Sequence, residues 1–84
     1  MVALDLLGRR GTLRVIWELR SGPLTFRALQ EAAETNPALL NARLKDLRVA
    51  GVVDHQEGGY CLTDRGRALM DALTPLYKWS EAGH

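Results

Sequence analysis

Cysteine is nearly missing from this chain. Cys61 is the only one in 84 residues, which excludes an intrachain disulfide framework and a cysteine-based zinc site. Histidine is almost as scarce, at positions 55 and 84 only, so a two-histidine metal site would need His84 at a fraying chain end. No run of apolar residues nears the ~18 that cross a membrane, and the first residues lack the apolar stretch of a secretory signal. No carboxylate cluster and no glycine-rich phosphate loop is visible. Neither sign of charge dominates, with a net charge of +1. These absences describe a soluble cytoplasmic protein with no catalytic residues, no bound metal and no cofactor. The length fits one domain, residues 1–84, near the lower limit for folding without covalent or metal staples.

What is present centres on residues 36–62. Asn36 and Pro37 mark a helix start: asparagine accepts from an orphan backbone N–H, and proline at the first helical position needs no donor. Gly51 marks the end, since it closes a helix in the left-handed conformation. Between them Leu40, Leu44 and Leu47 form one apolar stripe. Val52 to Leu62 then reads as two short strands around the turn signal Glu57-Gly58-Gly59. A capped amphipathic helix running directly into a small hairpin is the heart of a winged helix-turn-helix, with the helix as recognition helix and the hairpin as wing.

The flanking segments supply a scaffold. Residues 3–8 predict a turn or two of helix that Gly8 ends. A second helix is expected from Thr12, as its N-cap, to Arg20, with Leu13, Ile16 and Leu19 inward and Trp17 widening the stripe; Ser21-Gly22-Pro23 stops it. Thr25 caps the next helix, over 26–33, with Phe26, Leu29 and Ala33 inward. The preceding Gly-Pro-Leu-Thr offers a short third strand. The joint to Asn36 is short enough for a helix-turn-helix. After the hairpin, Thr63 or Asp64 caps a last helix. Gly66 in its first turn suits close approach of another backbone, and Thr74-Pro75 predicts a kink or a break with Thr74 capping a second segment. The fold class is α+β, mostly α, with a small antiparallel hairpin.

Leu4-Asp5-Leu6-Leu7-Gly8, Thr12-Leu13 through Glu18-Leu19, and Gly22-Pro23-Leu24-Thr25-Phe26-Arg27-Ala28-Leu29 resemble the HxlR-type winged-helix transcriptional regulators, a MarR-related group. The resemblance continues through Leu40 to Leu47, Gly51-Val52-Val53 and Tyr60 to Gly66, and so covers most of the chain. Three departures stand out. The tryptophan usual near Gly11 or Thr12 is absent, the wing is reduced to a tight turn, and the N-terminal cysteine that serves some members as a redox sensor has no counterpart.

The resemblance implies double-stranded DNA as partner, with the helix over 36–50 in the major groove and the hairpin over 52–62 on the backbone. A helix with its leucines inward turns Ala38, Asn41, Ala42, Lys45 and Val49 outward. Asn41 suits an adenine edge, Lys45 a guanine or phosphate, and Ala38 and Ala42 thymine methyls. That is a sparse reading face, so specificity is low or comes partly from DNA shape. Arg48, Arg65 and Arg67 are candidate phosphate contacts, joined by Asn36 with the N–H groups it precedes and by His55 of the wing. Arg43 sits nearer the core edge and is expected to pair with a carboxylate. Cys61 alternates with Tyr60 and Leu62 and is expected to face the core or a strand neighbour.

The resembling regulators dimerise through their ends. Here the terminal helices, 3–8 and 64–82, carry Leu4, Leu6, Leu7, Met70, Leu73, Leu76, Tyr77 and Trp79, more apolar surface than a small core needs. A homodimer is expected, with any ligand pocket at its interface. The alternative is a winged helix used for protein–protein contact without DNA, which the weak net charge and the outward alanines favour. A thiol sensor would rest on Cys61 alone.

Overall fold

The computed structural model describes residues 2–82, with side chains described for 5–80 and 82. Gly83 and His84, where fraying and the second histidine are expected, lie outside the described residues. The first helix, α1 (Val2–Leu7), sets Leu6 and Leu7 half-buried against the core. The next, α2 (Thr12–Glu18), begins differently from the expectation. Gly11 is its cap, with φ 84° and no side-chain hydrogen bond, and Thr12 is the first helical residue, fully buried. Glycine takes this left-handed turn without a Cβ penalty, and the turn carries Thr12 inward, where its hydroxyl has no orphan N–H to serve. The helix ends at Glu18 rather than Arg20, with Leu19 as C-cap.

The third helix, α3 (Phe26–Ala32), starts as expected, with the Ala28 N–H donating to the Thr25 hydroxyl at 3.2 Å. Next comes α4 (Pro37–Val49), 13 residues long. The Leu39 N–H donates to Asn36 Oδ1 at 2.9 Å. At the other end Gly51 adopts φ 76°. Its N–H reaches the Arg48 carbonyl at 3.0 Å, and the Val52 N–H reaches the Leu47 carbonyl at 2.9 Å. This pair of bonds is the Schellman closure, which uses up two orphan carbonyls and turns the chain straight into the hairpin.

The hairpin pairs β1 (Val53–Gln56) with β2 (Gly59–Leu62) antiparallel, from Val53 opposite Leu62 to Gln56 opposite Gly59. The turn is therefore Glu57-Gly58, and Gly59 belongs to a strand. The expected third strand shrinks to one bridge, Leu24 to Tyr60, with hydrogen bonds of 3.0 and 2.8 Å in the two directions. Gly59 is where this bridge closes: a Cβ there would fall on the Leu24 carbonyl.

The last helix, α5 (Asp64–Ala82), runs unbroken through Pro75. The Thr74 hydroxyl donates to the Met70 carbonyl at 2.9 Å instead of capping a new segment, so of the expected kink or break, the break does not occur. Thr63 caps α5 by accepting from the Gly66 N–H at 3.0 Å, while its hydroxyl donates to the Gly51 carbonyl. Gly66 lies directly against the Val52 carbonyl, where a Cβ has no room, as the sequence suggests. The core takes Val15, Ile16 and Leu19 from α2, Leu29 and Ala33 from α3, and Leu40, Leu44 and Leu47 from α4, closed by Val52, Val53, Leu62 and Met70. Burying each of the larger side chains contributes roughly 1.5–3 kcal/mol. On the side of α5 facing α2, half-buried Tyr77 stacks on Trp17 at 4.2 Å between ring centroids and its hydroxyl donates to the Leu13 carbonyl at 3.1 Å.

Candidate nucleic-acid interface

Burying Leu40, Leu44 and Leu47 leaves the opposite side of α4 to solvent. Ala38, Asn41, Lys45, Arg48 and Val49 are exposed, and Ala42 is half-buried rather than fully outward. Asn36, also exposed, has its side-chain oxygen committed to the cap, so only its amide NH2 is left to donate. No acidic residue occupies the first turn, which keeps the positive end of the helix dipole available to an anion.

Between α4 and the hairpin lies an open cleft of about 650 Å³, lined by Asn41, Lys45, Arg48 and Val49 on one side and by Asp54 and Tyr60 on the other. Three expected contact residues of α4 therefore share one wall. The helix charge is sharpened from outside: Asp46, the acidic residue of α4, is held by Arg9 at 2.9 Å and approached by Arg43 at 3.5 Å. Arg43 is accordingly a structural partner of a carboxylate, as expected. With Asp46 engaged by Arg9 and Arg43, Lys45 and Arg48 make no ion pair among the described residues. Asp54, which sequence reasoning passed over, opposes them across the cleft. Its carboxylate is partly occupied by the His55 N–H at 2.9 Å and the Gln56 amide at 3.3 Å. Strand alternation offers the one signal for it, since it follows the buried Val53.

The remaining expected contacts are distributed unevenly. His55 is exposed and stacks flat on Tyr60, with ring centroids 4.2 Å apart and an interplanar angle of 4°, so its ring is held in place on the wing. Arg65 is exposed, its side chain passing near Gly51, where α4 ends. Arg67 is two residues further round α5 and lines a different groove, beside Trp17, Arg20 and Asp71; the structure does not bring it to the cleft. Cys61 is half-buried, opposite Asp54 in the hairpin. Among the described residues no group of three or more histidine, cysteine or acidic side chains converges as a metal site would require, and no helix is long and apolar enough to cross a membrane.

The family model of the HxlR-like helix-turn-helix matches residues 6–83. The chain belongs to that family. Its members are transcriptional regulators built as winged helices, and the α4–hairpin unit is the corresponding part here. Among curated relatives, an HTH-type transcriptional regulator of Bacillus subtilis, YvaP, is 30% identical over 86 residues, covering 93% of this chain and 80% of that one. Among solved structures, quinone-bound YodB from Bacillus subtilis superposes with a TM-score of 0.84 at 30% identity, covering 95% of this chain and 91% of that one. Reduced HlyU from Vibrio cholerae shares the fold, with a TM-score of 0.75 at 23% identity over 90% and 85% of the two chains.

Proposed function

We propose that this HxlR-like regulator binds double-stranded DNA as a homodimer, with α4 in the major groove and the hairpin against the phosphate backbone. The observation that carries the reading is the shared wall of Asn41, Lys45 and Arg48, whose two cations are left without an ion pair among the described residues while Asp46 pairs with Arg9 and Arg43. An α-helix fits the major groove, and α4, at 13 residues, is about 20 Å long. Asn41 reads an adenine edge and Lys45 a guanine or phosphate, while Ala38 and Ala42 give only apolar contact with thymine methyls. Arg48, Arg65, His55 and the α4 N-terminus at Asn36 hold phosphates, which position the protein without specifying sequence, while Arg67, in its own groove beside Trp17 and Asp71, is left out.

Residues 1–84 act as one winged-helix unit whose terminal helices, 3–8 and 64–82, meet their copies in a dimer. Leu76 and Trp79 stay 54% and 73% exposed, large apolar groups that the monomer core does not use. Two-fold symmetry then presents two α4 helices to half-sites about one helical turn apart.

A second reading, a winged helix for protein contact without DNA, has its own support: Val49 is 83% exposed on the reading face, and Asp54 places a carboxylate across from Lys45 and Arg48. Titration of random-sequence duplex DNA at low and moderate salt separates the two. DNA binding is expected to weaken steeply with salt and to fall with Lys45→Ala and with Arg65→Ala. Folded wild-type protein that ignores duplex DNA at low salt selects the second reading.

A further inference from the structure

The cleft between α4 and the hairpin has one acidic side chain among its lining residues, Asp54, on the wall opposite Lys45 and Arg48. Neither cation closes on it: the ion pairs among the described residues all lie elsewhere. Each carboxylate oxygen takes a bond from its own strand instead. Oδ1 accepts from the His55 N–H at 2.9 Å, and Oδ2 accepts from the Gln56 amide at 3.3 Å. The negative charge is therefore tied to β1 and stays on the hairpin wall, facing two positive charges on the helix wall.

Keeping an open strand edge soluble does not require a carboxylate at this position. Asp54 is the first exposed residue after buried Val53, and His55 and Gln56 beyond it are exposed too. Those two positions do not line the cleft. A charge at either would protect the edge equally well without facing Lys45 and Arg48.

Dimensions decide what would pass between the two walls. The major groove is about 12 Å wide, and a helix with its side chains is about 10–12 Å across. A seated α4 fills the groove, so the hairpin has to lie over the phosphate strand that borders it. The cleft then straddles that strand. Lys45 and Arg48 meet phosphates from one side, and Asp54 meets them from the other. Salt screens fully only beyond the Debye length, ~10 Å at 0.1 M, so attraction and repulsion both act on the strand in the cleft.

We infer that Asp54 is an affinity-limiting residue: its carboxylate repels the phosphate strand that Lys45 and Arg48 attract. This rests on the DNA-binding reading of the same cleft and adds a regulating charge to it. Sequence-independent binding is electrostatic, so a fixed anion inside the cleft weakens that mode directly. Attraction to the backbone alone then holds the protein poorly, and the few base contacts of α4 carry more of the decision about where it stays.

The test is a fluorescence-anisotropy titration of random-sequence duplex DNA at low and moderate salt, with wild-type protein and three variants. Asp54→Asn keeps the shape and removes the charge. Asp54→Ala removes the charge and cannot donate a hydrogen bond. Asp71→Asn removes the same charge from an exposed site on α5, in the groove beside Trp17. Circular dichroism and melting temperature check the fold of each. Both Asp54 variants are expected to bind about tenfold more tightly than wild type at low salt, with a smaller gain at moderate salt. Asp71→Asn is expected to stay within about twofold of wild type. Tightening by Asp54→Asn alone would mark a new amide–phosphate bond and overturn the proposal. Equal tightening by Asp71→Asn would overturn it in favour of net charge. Unchanged or weaker binding by both Asp54 variants, with wild type still bound, would overturn it and leave the DNA-binding reading standing. No binding by any of the four folded proteins at low salt would remove that reading and this proposal together.

Discussion

Two regions of this molecule are built by opposite means. Where α4, the hairpin and α5 meet, backbone touches backbone. Gly66 lies on the Val52 carbonyl, Gly59 on Leu24, and the Thr63 hydroxyl ties the α5 cap to Gly51. Beyond Pro75, α5 is held by side chains alone: Tyr77 on Trp17, with Leu76 and Trp79 reaching into solvent. The first region fixes the angle between α4 and the hairpin and leaves no room for a larger side chain. The second leaves large apolar side chains uncovered. Geometry that must be exact is placed at glycines and caps, and apolar surface is left open at a helix end.

The largest way to break this contrast is to add one methyl group. Gly66→Ala and Gly59→Ala each set a Cβ on a neighbouring backbone, and Gly59 also has φ 116°. Each is expected to cost about 3 kcal/mol or more in urea unfolding. Gly22→Ala is the control, because Gly22 has φ 141° but nothing within 4 Å; its cost is limited to backbone strain, about 1 kcal/mol. Equal losses at all three glycines would mean that close approach is not what holds the junction.

Removing the Thr63 hydroxyl comes next. Thr63→Val loses the helix cap and the bond to Gly51, an expected loss of about 1–2 kcal/mol. It should also loosen the hairpin against α4, read as faster amide exchange at Val52 and Val53. At the other region, Leu76→Ala with Trp79→Ala is expected to change the folding free energy of the monomer by no more than about 0.5 kcal/mol. The same pair is expected to shift sedimentation toward monomer. A large loss of stability in dilute, monomeric samples would place these residues in the core instead.

The smallest effect is at Tyr77. Burial raises its pKa above the ordinary 10.0, with Glu18 adding to the rise and Arg14 and Arg20 opposing it. Below pH 10.0 the phenol is protonated whether the chain is folded or not, and its contribution is complete. As pH climbs past that value the unfolded chain gives up the proton first, so stability falls. Tyr77→Phe should flatten that alkaline decline relative to wild type, as measured by melting temperature from pH 9 to about 11.

The parts of the fold legible in the sequence were those set within a few residues. Asn36, Pro37 and Gly51 delimit α4 because caps are local chemistry. Gly66 was readable because a glycine in a helix's first turn has few other reasons to be there. What was missed depends on distant chain. Thr12 looks like a cap until Gly11 turns left-handed beneath it. Gly59 looks like part of the turn until Leu24 arrives as its neighbour. Thr74 looks like a new cap, but its hydroxyl turns back to Met70 in an unbroken helix. The candidate site divides the same way: helical spacing turned Asn41 and Lys45 outward together, while Arg48 joining them on one wall, Arg9 closing on Asp46 and Asp54 facing the cleft required three dimensions.

The lone bridge at Leu24 has a consequence for the behaviour of the protein in concentrated solution. It covers the free side of β2, so β1 is left as the outer strand of the hairpin. An open strand edge is a template on which other chains can add. Here that edge is four residues long and shows Asp54, His55 and Gln56 to solvent, with Glu57 following in the turn. Short length and carboxylates at its ends discourage edge-to-edge stacking. The wing can therefore project from the body without seeding fibrils.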